Sequence, residues 1–206
     1  MLLTQTHKKF LFLLSIIVLY IVLVSSLGFL KVPCCTFDEN FFWPTSLFFS
    51  EKPLLSLDDL RNYNELNTPF AFIVYGQLEY WFGQGIVAGR LLNLALSITM
   101  VLIIGWPTKE KGGRGFLCLI GLFLCPYYLW LSGWLYTEMI ACFWVLMGLV
   151  GYVRRRYLWS SLAFVFAIAT RQYMLAFPAA IATYEFLIVA SETRKSKRID
   201  WQTQHR

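Results

Sequence analysis

Six apolar runs constrain this chain more than any other feature. They cover residues 10–30, 86–106, 115–135, 136–153, 157–175 and 176–190, and about 20 apolar residues in a helix cross a bilayer core. Of 206 residues, 58% are hydrophobic and only 15% are charged. A water-soluble fold of this length cannot cover so much apolar surface with polar groups. The short alternating strands of a membrane β-barrel are not seen in the sequence. The expected fold class is all-α: a polytopic membrane helical bundle of about six transmembrane helices.

The first run is longer than the apolar stretch of an ordinary signal peptide and has no clear A-x-A site, so it is expected to stay as a span. The net charge is +6, but the basic residues sit in short runs between apolar segments. These are Lys8-Lys9, then Lys109, Lys111 and Arg114, then Arg154-Arg155-Arg156, then Arg194, Lys195, Lys197 and Arg198. That spacing reads as topology signals and lipid-headgroup contacts, and no nucleic acid is expected as a partner. Residues 68–83 are apolar but short, and they carry Gln77 and Glu79. Counting them as a span puts two basic clusters outside. Laying them on the outer leaflet as an amphipathic helix anchored by Tyr80 and Trp81 keeps all four inside. The second arrangement is expected, with both ends cytoplasmic and residues 31–85 forming an extracytoplasmic loop. Residues 1–190 then make one module, and 191–206 a basic cytoplasmic tail and a candidate truncation point. Within the loop, Ser56 followed by Asp58 and Asp59 predicts a short capped helix. Five cysteines give no metal-ligand spacing. Cys118, Cys125 and Cys142 fall in apolar runs and are expected to be small core residues. Cys34-Cys35 reads as loop cysteines, with lipid modification or a disulfide as alternatives.

This topology gathers scattered polar residues at one membrane depth. Asp38 and Glu39 lie just past the first span, Arg90 opens the second, Glu138 opens the fourth, and Arg171 and Gln172 close the fifth. Ionisable residues at a span's edge are costly unless paired or facing a wet cavity. Each has an ordinary reading too: loop acids, a helix-dipole partner for Glu138, a snorkelling Arg171, an Arg90 that braces the interfacial helix. Taken together, a carboxylate can take a proton from a hydroxyl and a guanidinium can hold a phosphate by two hydrogen bonds. That combination at a lipid surface points to transfer of a group from a lipid phosphate.

The segments "FDENFFWP", "NTPFAFIVYGQLEYWFG" and "AGRLLNLAL", in this order, resemble the C-type membrane glycosyltransferases, which use polyprenyl-phosphate-linked sugars. "CPYYLWLSGWLYTE" and "AIATRQYM" are similar to motifs of the dolichyl-phosphate-glucose α-1,2-glucosyltransferases. The resemblance covers most of residues 36–178. It implies an inverting transfer to a glycan or lipid hydroxyl acceptor from a lipid-linked sugar donor. On it, Asp38 is the base, Glu39 positions it or the acceptor, and Arg171 offsets charge on the departing phosphate. Glu138 and Gln172 shape the sugar pocket, and Arg90 is a further substrate-side residue. Some relatives use a divalent metal, Mg or Mn, in this loop; no dedicated ligand set beyond the two carboxylates is apparent here. Glu138 stands where the family favours Asp, and Tyr173 and Met174 replace two small polar residues. Such enzymes run about twice as long, so the chain is expected to be a whole enzyme's N-terminal half, a fragment, a truncated gene product or a half that needs a partner. The expected location is a bacterial plasma membrane, with the endoplasmic reticulum membrane as the alternative. Two other classes stay open: a non-catalytic or truncated member of the same fold, and a transporter.

Overall fold

The computed structural model describes residues 5–26, 37–53, 56–106 and 114–204. Among these, every regular element is a helix and there is no strand. The helices are α1 (Gln5–Ser26), α2 (Phe37–Phe48), α3 (Leu57–Arg61), α4 (Phe70–Phe82), α5 (Ile86–Gly105), α6 (Arg114–Leu124), α7 (Pro126–Gly133), α8 (Thr137–Val153), α9 (Tyr157–Thr170) and α10 (Ala176–Gln204). A 3-10 turn, Gln172–Leu175, joins the last two. Cys34-Cys35, the end of the first apolar run, Lys109 and Lys111 lie outside the described residues.

Three stretches are long and apolar enough to cross a membrane: Lys9–Ser26, Ile86–Gly105 and Gln172–Thr193. Helices α7 and α8 make a fourth if taken together, bent by 110° between them. The third and fourth apolar runs therefore do not become two straight spans. Pro126 cannot continue α6 but suits the first position of α7, so the chain breaks at Cys125. A second break, at Trp134, Leu135 and Tyr136, falls where the third apolar run meets the fourth. The fifth run is helical only as far as Thr170, a 14-residue helix.

Residues 68–83 hold a helix with one face packed into the bundle. In α4, Ala71, Phe72, Tyr75 and Gly76 are buried, and α4 packs on α2 and α5. Only its end, Tyr80, Trp81 and Phe82, stays exposed. The reason is Gly76. A Cβ there would lie 2.4 Å from the Ser46 carbonyl oxygen and 2.8 Å from Phe49, so only glycine lets α2 come so close. Gly76→Ala should push α2 off α4 and cost about 1–3 kcal/mol. Thermal unfolding in detergent reads this, and an unchanged Tm would contradict the packing.

Helices α8 and α9 meet through small residues in the same way. Gly148 faces the Phe164 ring and Gly151 faces Ser160, and the Ser160 hydroxyl donates to the Gly148 carbonyl at 2.7 Å. Small residues let backbones approach closely where lipid removes the hydrophobic drive for helices to associate. Cys118, Cys125 and Cys142 correct the core expectation: all three are solvent-accessible in the bundle. An apolar residue in a membrane bundle can face lipid as readily as core, so hydropathy alone does not separate the two.

The short helix α3 forms as predicted. The Asp59 backbone N–H donates to Ser56 Oγ at 3.1 Å, and the Ser56 N–H donates to the Asp59 carboxylate at 3.0 Å. The Ser56 backbone bond, helped by Lys52, holds the Asp59 carboxyl below its usual range. A lowered folded-state pKa contributes stability above the unfolded value and loses it as pH falls through the folded one. Amide protection in α3 should therefore drop in acid, below the ordinary carboxylate range. Protection that stays constant there would exclude the cap.

Candidate functional site

The break between α7 and α8 frees backbone groups inside the bundle, and a buried unpaired backbone group is expensive in a membrane. Side chains from three other helices satisfy them. From α2, Glu39 accepts the Leu135 N–H at 2.7 Å. From α5, the Asn93 amide donates to the Trp134 and Tyr136 carbonyls at 2.7 and 3.0 Å. From α4, the Tyr75 hydroxyl lies 2.9 Å from the Tyr136 carbonyl and 2.8 Å from Asn93 Oδ1.

Arg90 completes this knot. Its Nε donates to Glu39 Oε1 at 2.9 Å and its Nη2 to Oε2 at 2.7 Å, a two-pronged pair. The guanidinium stacks 4.6 Å from the Trp134 ring centroid. Both side chains of the pair are 0% exposed. Glu39 and Arg90 thus hold the broken helix in place, with no face open to a substrate.

A second polar cluster lies nearer the surface. Arg171, between α9 and the 3-10 turn, donates through Nη2 to Glu138 at 2.6 Å, and through Nη1 to Asn67 Oδ1. Glu138 sits in the first turn of α8, where the helix dipole favours an anion. The pair is mostly covered, at 11% and 17% side-chain exposure. Gln172 donates to the Leu66 carbonyl at 2.8 Å and so docks the segment before α4 against the 3-10 turn. The Tyr63 hydroxyl donates to the Asn67 carbonyl; burial, first, and then the nearby Glu65 raise its pKa. Arg171 Nε is buried and finds no acceptor among the described residues.

Asp38 shares α2 with Phe42, which meets this second cluster. The Arg171 guanidinium rests 5.5 Å from the Phe42 ring centroid, and Phe42 is one helical turn after Asp38 on α2. Asp38 itself is half-buried and has no hydrogen bond or ion pair among the described residues. The two neighbouring acids have therefore parted: Glu39 turns into the knot and Asp38 stays open.

Sequence reasoning missed Asn93, Tyr75, Asn67 and Phe42. Asn93 had a signal, since Arg90 and Asn93 are three apart and share a helix face. Asn67 had none, because a loop asparagine three-dimensionally next to residue 171 carries no local mark. Among the described residues, no three of His, Cys, Asp and Glu come together to hold a metal ion. With both Glu39 oxygens committed to Arg90 and Leu135, the acidic pair does not fit a divalent cation. The chain matches no protein-family model, no curated protein and no solved structure.

Proposed function

We propose that this chain is a multi-pass membrane glycosyltransferase, or the N-terminal half of one. It transfers a sugar from a polyprenyl-phosphate donor to a hydroxyl acceptor at the outer or lumenal membrane face, with inversion. The observation that carries this reading is the Asp38 carboxylate, without a hydrogen bond or ion pair among the described residues, one helical turn before the Phe42 ring against which the Arg171 guanidinium rests.

The chemistry follows from that pairing. Asp38 takes the proton of the acceptor hydroxyl. The freed oxygen attacks the anomeric carbon from the face opposite the phosphate. The carbon–oxygen bond to the phosphate breaks, and the phosphate departs with the electron pair. Arg171 offsets the charge that develops on it, held in place by Glu138 and Asn67. Gln172 fixes the segment that brings Asn67 into reach. Glu39 and Arg90 brace the scaffold. Within this topology the Arg171 cluster faces outward, and the Arg154-Arg155-Arg156 turn faces the cytoplasm.

A second reading, a non-catalytic bundle of the same kind, draws support from the pairing of both arginines with carboxylates. Membranes expressing the chain, supplied with a radiolabelled polyprenyl-phosphate sugar, separate the two. Chain-dependent movement of label from the lipid to a hydroxyl acceptor is expected. Label that stays on the lipid at the rate of control membranes favours the non-catalytic bundle.

A further inference from the structure

A groove of about 380 Å³ opens between α8, α9 and α10, walled by Tyr152, Tyr157, Phe164, Pro178, Ile181 and Glu185. It lies at the far end of α8 from the Arg171 cluster. Glu138 is in the first turn of that helix and Tyr152 in the last, about 20 Å apart by helical rise. Helix α10 covers the groove loosely, since only 6% of its apolar window is buried. The groove is thus open sideways, toward the space lipid occupies around a bundle.

Its two ends differ in chemistry. Toward Phe164, Ile181 and Pro178 the walls are apolar. At the mouth, the Tyr152 and Tyr157 rings stand 6.4 Å apart, tilted by 58°. The Tyr152 hydroxyl donates to Glu185 Oε1, which fixes the carboxylate beside the rings. Glu185 falls inside the apolar window Gln172–Thr193, where an acid is costly and marks a site. Next to Tyr152 come Arg154, Arg155 and Arg156, all exposed and without an ion pair among the described residues. Arg155 is held at φ 56, a left-handed conformation rare for a side-chain-bearing residue.

We infer that this groove binds one phospholipid bearing an ammonium headgroup. The ammonium sits between the two tyrosine rings and against Glu185, the arrangement that attracts an organic cation. The phosphate meets the arginines of the α8–α9 turn. One acyl chain runs along Phe164, Ile181 and Pro178. An anionic lipid without an ammonium satisfies the arginines but sets its headgroup against the Glu185 carboxylate. A headgroup carrying both charges matches both halves of the mouth. The site stands apart from the proposed sugar transfer and does not depend on it.

Native mass spectrometry of the purified chain in detergent tests this, with equimolar phosphatidylcholine, phosphatidylethanolamine and phosphatidylglycerol. The two ammonium lipids should be retained about 5–10-fold over phosphatidylglycerol. Glu185→Gln should bring that ratio close to one. Replacing all three arginines by Gln should weaken retention of all three lipids. Equal or stronger retention of phosphatidylglycerol by the unaltered chain overturns the site, and so does a ratio that survives Glu185→Gln. Should Glu185→Gln fail to fold, Tyr157→Leu decides, because Tyr157 is 59% exposed. A reduced ratio in that variant supports the cage, and an unchanged one overturns it.

Discussion

Replacing Arg90 by Leu is expected to unfold much of the bundle. The substitution leaves the Glu39 carboxylate buried without its two-pronged partner. Breaking a buried pair from one side costs about 3–5 kcal/mol, because the remaining charge is neither solvated nor paired. Glu39→Leu should cost as much, and it also orphans the Leu135 N–H. Replacing both residues with apolar ones of similar size should recover part of the loss, since an apolar pair carries no desolvation penalty. The Leu135 N–H would still lack an acceptor, so recovery should stop short of the unaltered chain. Denaturation in mild detergent reads all three variants. Single variants as stable as the unaltered chain would mean that the knot does not hold the break.

Asp38→Asn is expected to do the opposite: keep the fold and lose the chemistry. Asp38 makes no hydrogen bond or ion pair that the fold relies on among the described residues, so its amide should fit without strain. Its loss of charge removes some helix-dipole stabilisation at the start of α2, about 0.3–1 kcal/mol. The asparagine cannot accept the acceptor's proton, and removing a general base lowers rates by about 10²–10⁴-fold. Asp38→Glu keeps the charge but lengthens the arm, so partial activity is expected.

That several helices are long and apolar enough to cross a membrane was legible, because hydropathy and length are local properties. So was α3, since Ser56 and Asp59 carry a cap within four residues. The straightness of the third and fourth runs was not. Their break at 134–136 depends on Glu39, Tyr75 and Asn93, which reach it from three other helices. Burial of α4 was hidden for a related reason: its Gly76 becomes meaningful only opposite the Ser46 carbonyl. The polar residues at the ends of the apolar runs were legible as candidates, because the ends of such runs can be read from hydropathy. Their partners could not be read. Glu39 and Asp38 are adjacent in sequence, but neighbouring helical positions point about 100° apart, at 3.6 residues per turn. One therefore turns into the core and the other out of it. Gln172 looked like a pocket residue and serves as a tether to Leu66, a contact between segments far apart in the chain.

The most direct measurement compares Asp38→Asn with Glu39→Gln in one preparation, reading both detergent stability and sugar transfer from a labelled polyprenyl-phosphate donor. A stable Asp38→Asn that has lost transfer is expected, with an unstable Glu39→Gln whose activity follows the fraction still folded. An Asp38→Asn that transfers as fast as the unaltered chain would contradict Asp38 as the base.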